Sequence, residues 1–124
     1  MDKLTDYPQL IERILTDYIS LCNRNPNRPL ETFLIADRDQ GHYIWMTLGW
    51  QNGNRTTGMT VYVRLQNGKF SIEEDWTENG IANDLLEAGV PKEDIILAFQ
   101  DPQMQPYTGF ATESPKTPTI ALTS

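Results

Sequence analysis

The stretch TGMTVYVRLQNGKFSIEEDW, residues 57–76, decides the fold. Apolar and polar residues alternate on both sides of Asn67-Gly68, the pattern of two half-buried strands. Asn and Gly both tolerate positive φ, so a two-residue Asn-Gly loop predicts a tight hairpin. Its register pairs Leu65 with Phe70 and Val63 with Ile72. Alternation then adds Val61 and Met59 to the same face.

Two further strand-like runs precede it, ETFLIAD (31–37) and HYIWMTLGW (42–50), separated by the turn-rich breaks DRDQG and QNGNR. Three short connections predict an antiparallel meander. Simple alternation puts Ile44, Met46, Leu48 and Trp50 beside Val61 on the helix-covered side. It leaves Tyr43, Trp45, Thr47, Tyr62, Arg64 and Glu73 on the opposite face.

Leu4, Tyr7, Ile11, Ile14, Leu15, Tyr18 and Cys22 recur at three- and four-residue steps, which predicts an amphipathic helix over about 3–22. Pro26 and Pro29 end it. After the hairpin, Thr77 is expected to cap a second helix whose stripe is Ile81, Ala82, Leu85 and Leu86, with Glu78 in its first turn. Gly89 supplies a left-handed stop, Val90 folds back on Leu85, and Pro91 forbids continuation. A turn at 92–94 leads to a short buried strand, 95–99. The expected fold class is α+β: an antiparallel β-meander with both helices packed on one face. One domain spans 1–111, and 112–124 reads as a poorly ordered tail.

Composition narrows the function. No apolar run approaches the ~20 residues of a membrane helix, the N-terminus lacks a signal pattern, and one cysteine makes no internal disulfide. The expected location is the cytoplasm. A net charge of −7, with ten scattered Lys and Arg, argues against a nucleic-acid backbone as the main ligand and towards a protein partner.

Glu73, Glu74, Asp75 and Glu78 form the one acidic cluster that suggests a metal-dependent nuclease or hydrolase. Strand alternation splits Glu73 and Asp75 from Glu74, and no His or Lys accompanies them, so the run reads as strand-end and helix-start electrostatics. A single His42 and a single Cys22 fall short of a zinc set. Cys22 lies in a helix stripe, where thiols are inert core. No phosphate-binding loop or serine elbow occurs. The residues therefore assign no catalytic, cofactor or metal site. The face bearing Tyr43, Trp45, Tyr62, Arg64 and Glu73 stays open to three uses: contact with a partner or second subunit, intramolecular cover, or stacking of single-stranded bases.

The segments DKLTDYPQLIERIL, GHYIWMTLGWQ, DWTENGIANDLLEAGVPKEDIILAF and YTGFA, in that order, resemble the XisI family over residues 2–111. The resemblance implies an element-excision controlling factor of filamentous nitrogen-fixing cyanobacteria. Such a factor is a non-enzymatic accessory protein with an XisH-like companion, linked through it to a site-specific recombinase and DNA. A homo-oligomer is a further expected partner, and a membrane is not. Relatives carry a His-Pro pair and an Arg within the region reading FQDPQMQPYTGFA here, where Gln100 and Gln105 stand instead. The family has no established catalytic residues to carry over, and Tyr43, Trp45, Tyr62, Arg64 and Glu73 are the expected partner-binding set.

Overall fold

The computed structural model describes residues 6–112. The start of the expected first helix and the tail beyond Thr112 lie outside them. Helix α1 is Asp6–Cys22, followed by strands β1 (Leu30–Asp37), β2 (His42–Gln51), β3 (Asn54–Gln66) and β4 (Lys69–Asp75). Helix α2 (Ile81–Glu87), a 3-10 turn at Lys92–Asp94, β5 (Ile95–Leu97) and a second 3-10 turn at Gln105–Tyr107 complete the chain. The sheet order is β1-β2-β3-β4-β5.

The first four strands are the expected antiparallel meander. Asn67-Gly68 turns with φ of 55° and 72°, and Asn52-Gly53 repeats the conformation at 53° and 78°. Leu65 faces Phe70 and Val63 faces Ile72, the predicted register. The expected strand after residue 94 is shorter, and it runs parallel to β4. A parallel neighbour needs a crossover, and α2 supplies it.

Two bulges correct the face assignment. Counting back from Gln51–Asn54 without interruption would set Ile44 opposite Val61. The register instead shifts between Trp45 and Met46, so that Met46 faces Met59, Trp45 faces Val61 and Tyr43 faces Val63. Thr60 is the extra residue, and one extra residue transfers every side chain beyond it to the other face. Tyr43 (0% exposed) and Trp45 (6%) thus enter the core with Val61 and Val63. Ile44, Met46, Leu48 and Met59 lie outside it on the opposite face. In β4 Glu73 is the extra residue: Tyr62 faces Glu74 and Val61 faces Asp75. Glu74 therefore turns outward and Asp75 inward, the reverse of simple alternation.

Both helices cover the inner face. α1 buries Tyr7, Leu10, Ile11, Leu15 and Ile19, and α2 buries Ile81 and Leu85. Tyr7 packs on Phe70 with ring centroids 4.6 Å apart, and Tyr18 stacks on Trp45 at 5.6 Å. Each tyrosine also bonds a carboxylate near the crossover: Tyr7 donates to Asp94 at 2.7 Å and Tyr18 to Asp84 at 2.6 Å. Burial, reinforced by these bonds, raises both phenols well above their ordinary range. They stay protonated as donors that tie α1 to the β4–α2–β5 unit.

The inward turn of Asp75 relocates the helix cap. α2 starts at Ile81, so Thr77 is not its N-cap and Glu78 lies outside it. Asp75 Oδ2 accepts from the Ile81 N–H at 2.7 Å, and Oδ1 accepts from the Thr77 N–H and hydroxyl. Thr77 Oγ1 in turn accepts from the Gly80 N–H at 3.2 Å. The C-terminus follows the sequence: Gly89 has φ 98°, Gly89 N–H bonds Leu86 O and Val90 N–H bonds Leu85 O, both at 3.0 Å. Asp75→Ala should cost about 1–2 kcal/mol through the lost cap, read as a lower urea midpoint. An unchanged midpoint would show that Asp75 does not hold α2.

Candidate partner-binding face

The outer face of the sheet is the candidate site. β1 presents Phe33 and Ile35 there, opposite Met46 and Ile44 of β2. Leu48 and Met59 extend the patch along the same side. Ile35 is 42% exposed and the other five are half-buried. None of the six belongs to the core cluster or packs against it, so no described helix covers them. Contiguous apolar patches of this kind mark contact surfaces.

Polar groups border the patch. Tyr62 OH and His42 Nδ1 lie 2.8 Å apart. Glu73 Oε2 accepts from the Ser71 hydroxyl at 2.7 Å, and Glu74 Oε1 accepts from Trp76 Nε1 at 3.0 Å. Arg64, paired across the sheet with both His42 and Ser71, has its Nε buried without a hydrogen-bond partner. A buried donor left unpaired is costly, and a guanidinium donates most strongly to a carboxylate.

The five residues expected for partner binding are thus split. Tyr62, Arg64 and Glu73 meet on the outer face. Tyr43 and Trp45 are core residues, because the Thr60 bulge turns them inward, and their exposed placement is corrected here. Phe33 and Ile35 are the residues that pattern-reading passed over. Their signal was the alternation in ETFLIAD, which places them with Ile44 and Met46.

Within the acidic run, Glu73, Glu74 and Asp75 line one shallow recess beside Trp76 and Phe99, but each carboxylate is engaged by its own neighbours. Glu73 and Glu74 are engaged outside, Asp75 caps α2 and Glu78 is exposed. Among the described residues no three His, Cys, Asp or Glu side chains come together as a metal set. His42 stands on the outer face, whereas Cys22 packs beside the core on the helix side. Gln105 is buried and donates from Nε2 to the Gln100 carbonyl at 3.1 Å, bracing the 100–105 turn. No described helix is long and apolar enough to cross a membrane.

Two helices on one side of a five-strand sheet, with an apolar patch on the other side that no described helix covers, define a small α+β protein. The chain belongs to the XisI family, whose model, described as XisI protein, matches residues 1–112. It is similar to a crystal structure of a XisI-like protein from Anabaena variabilis, with 33% identity, a TM-score of 0.81, and coverage of 89% of this chain and 99% of that one. It is also similar to the fdxN element excision controlling factor XisI from Anabaena variabilis, with 39% identity, a TM-score of 0.77, and coverage of 89% and 98%. No curated protein matches.

Proposed function

We propose that this chain is a non-enzymatic accessory protein of regulated DNA element excision, acting in the cytoplasm through a protein partner on its outer sheet face. The observation that carries the reading is the uncovered patch of Phe33, Ile35, Ile44 and Met46. Its similarity to a protein identified as an excision controlling factor supplies the process. The partner is an XisH-like companion, which links this chain to the site-specific recombinase and its DNA. A net charge of −7 fits a factor that reaches DNA through another protein.

The apolar strip supplies the buried area, while Tyr62, Arg64 and Glu73 set orientation at its border. An aspartate at the centre of the strip would be desolvated without a partner on binding. Ile44→Asp is expected to weaken capture of the co-expressed companion by about 2 kcal/mol or more, while circular dichroism stays native. Retention of the companion by a folded Ile44→Asp protein would contradict this surface.

A further inference from the structure

β3 is paired along most of its length by β2, but only in part on its other side. β2 accompanies it from Asn54 to Arg64, whereas β4 reaches only from Gln66 back to Val61. Trp76 N–H donates to Thr60 O at 2.9 Å, and the chain then departs toward α2. From Asn54 to Met59 one edge of β3 has no strand beside it among the described residues. Gln51 and Asn54 close a two-residue turn, and the closing pair of such a turn is the hydrogen-bonded one. Alternation then directs the backbone N–H and C=O groups of Arg55, Thr57 and Met59 to the open edge. Such groups are a template for another strand.

Gly58 lies in the middle of this edge. Its φ is not positive, and a Cβ there would meet nothing within 4 Å. Glycine inside a strand often marks a bulge, and the Thr60 bulge lies two residues on.

We infer that the 54–59 edge pairs antiparallel with the same edge of a second copy of this chain. Thr57 faces Thr57 of the second copy and Arg55 faces Met59 of the second copy, each pair exchanging both backbone hydrogen bonds. The contact is isologous and closes at two copies. Charge favours a copy as the occupant. This register carries each exposed Arg55 toward the end of β4 of the other copy, where Glu73, Glu74, Asp75, Trp76 and Phe99 line a shallow recess. Arg55 now lies over Trp50 of its own hairpin, 5.8 Å from the ring centroid, and has no carboxylate partner among the described residues. This contact shares Met59 and Glu73 with the border of the outer-face patch but leaves Ile44 untouched, so Ile44→Asp separates companion binding from self-pairing.

Sedimentation equilibrium of the full chain through the micromolar range tests this. The wild type is expected at twice the chain mass. Thr57→Pro deletes an N–H from the open edge and none from the β2 side, so a folded monomer is expected. Amide exchange at Thr57 in the wild type is expected to slow as concentration rises, and this reading holds even if the proline variant fails to fold. Ile44→Asp should leave the doubled mass intact. A monomer at every concentration, a folded Thr57→Pro protein of unchanged doubled mass, or Thr57 exchange independent of concentration would overturn the inference.

Discussion

Trp45→Ala is expected to destabilise the protein by about 3–5 kcal/mol, the range for deleting a large aromatic side chain from a core. The indole is 6% exposed, lies against Tyr18 of α1, and donates from Nε1 to the Thr32 hydroxyl. Thr32 passes the chain of bonds on to the Met46 carbonyl at 3.1 Å. Truncation opens a cavity beneath α1 and removes the bond Thr32 receives. Domains are held by only about 5–15 kcal/mol, so much of the stability would be lost. Urea unfolding followed by circular dichroism measures the effect. A mutant with a native midpoint and reduced partner binding would return Trp45 to the surface and invalidate the bulged register.

The second large effect falls on a residue with no side chain. Gly41 ends the β1–β2 turn with φ 75°, accepts from the Leu65 N–H at 2.8 Å and donates to the Asp37 carbonyl at 2.8 Å. A Cβ at Gly41 would stand 2.2 Å from the Leu65 carbonyl oxygen, which is backbone in the adjacent strand and has no rotamer to escape into. A strained φ alone costs about 1–3 kcal/mol, and the overlap adds to it. Gly41→Ala is therefore expected to lose about 3 kcal/mol or more, comparable to a core deletion. Thermal unfolding of the variant beside Gly53→Ala separates the two causes, since Gly53 has φ 78° but nothing within 4 Å. Equal losses at both positions would mean that the Leu65 contact does not matter.

The elements themselves were legible in the sequence. The α1 stripe, the hairpin at Asn67-Gly68 and the Gly89 stop each rest on local chemistry: a period, a turn that accepts positive φ, a left-handed cap. What the sequence hides is Thr60. A bulge leaves no mark in an alternating run, because TGMTVYV reads equally well with or without one unpaired residue. Its consequence is not local, since it turns Tyr43 and Trp45 inward and Ile44 outward. The same holds at Glu73, where one extra residue sends Asp75 to the helix and Glu74 to the surface. Both aromatic and aliphatic sets of β2 are apolar enough to form a core. Hydrophobicity therefore could not choose between them, and packing against Tyr18 and the Thr32 bond did. The parallel β5 was equally hidden, as strand direction depends on the path of α2 and not on the residues Ile95–Leu97.

The same ambiguity shaped the candidate site. An open sheet face was legible, and Tyr62, Arg64 and Glu73 were placed on it correctly. Simple alternation assigns its apolar centre to the covered side. The corrected surface is more hydrophobic than the one the alternation implied, which strengthens the case for a protein partner over single-stranded nucleic acid. Base stacking calls for exposed aromatic planes beside basic groups, and two of the three aromatic rings proposed for it are in the core.

The most direct test of the account uses the methionine methyl groups as reporters. Met46 lies on the outer face beside Phe33, while Met104 is exposed in the turn after β5. Methyl spectra of methionine-labelled protein, titrated with the purified XisH-like companion, are predicted to show the Met46 signal shifting or broadening to saturation at the binding stoichiometry while Met104 stays in place. Saturable binding that moves Met104 and leaves Met46 unchanged would contradict the outer sheet face as the partner site.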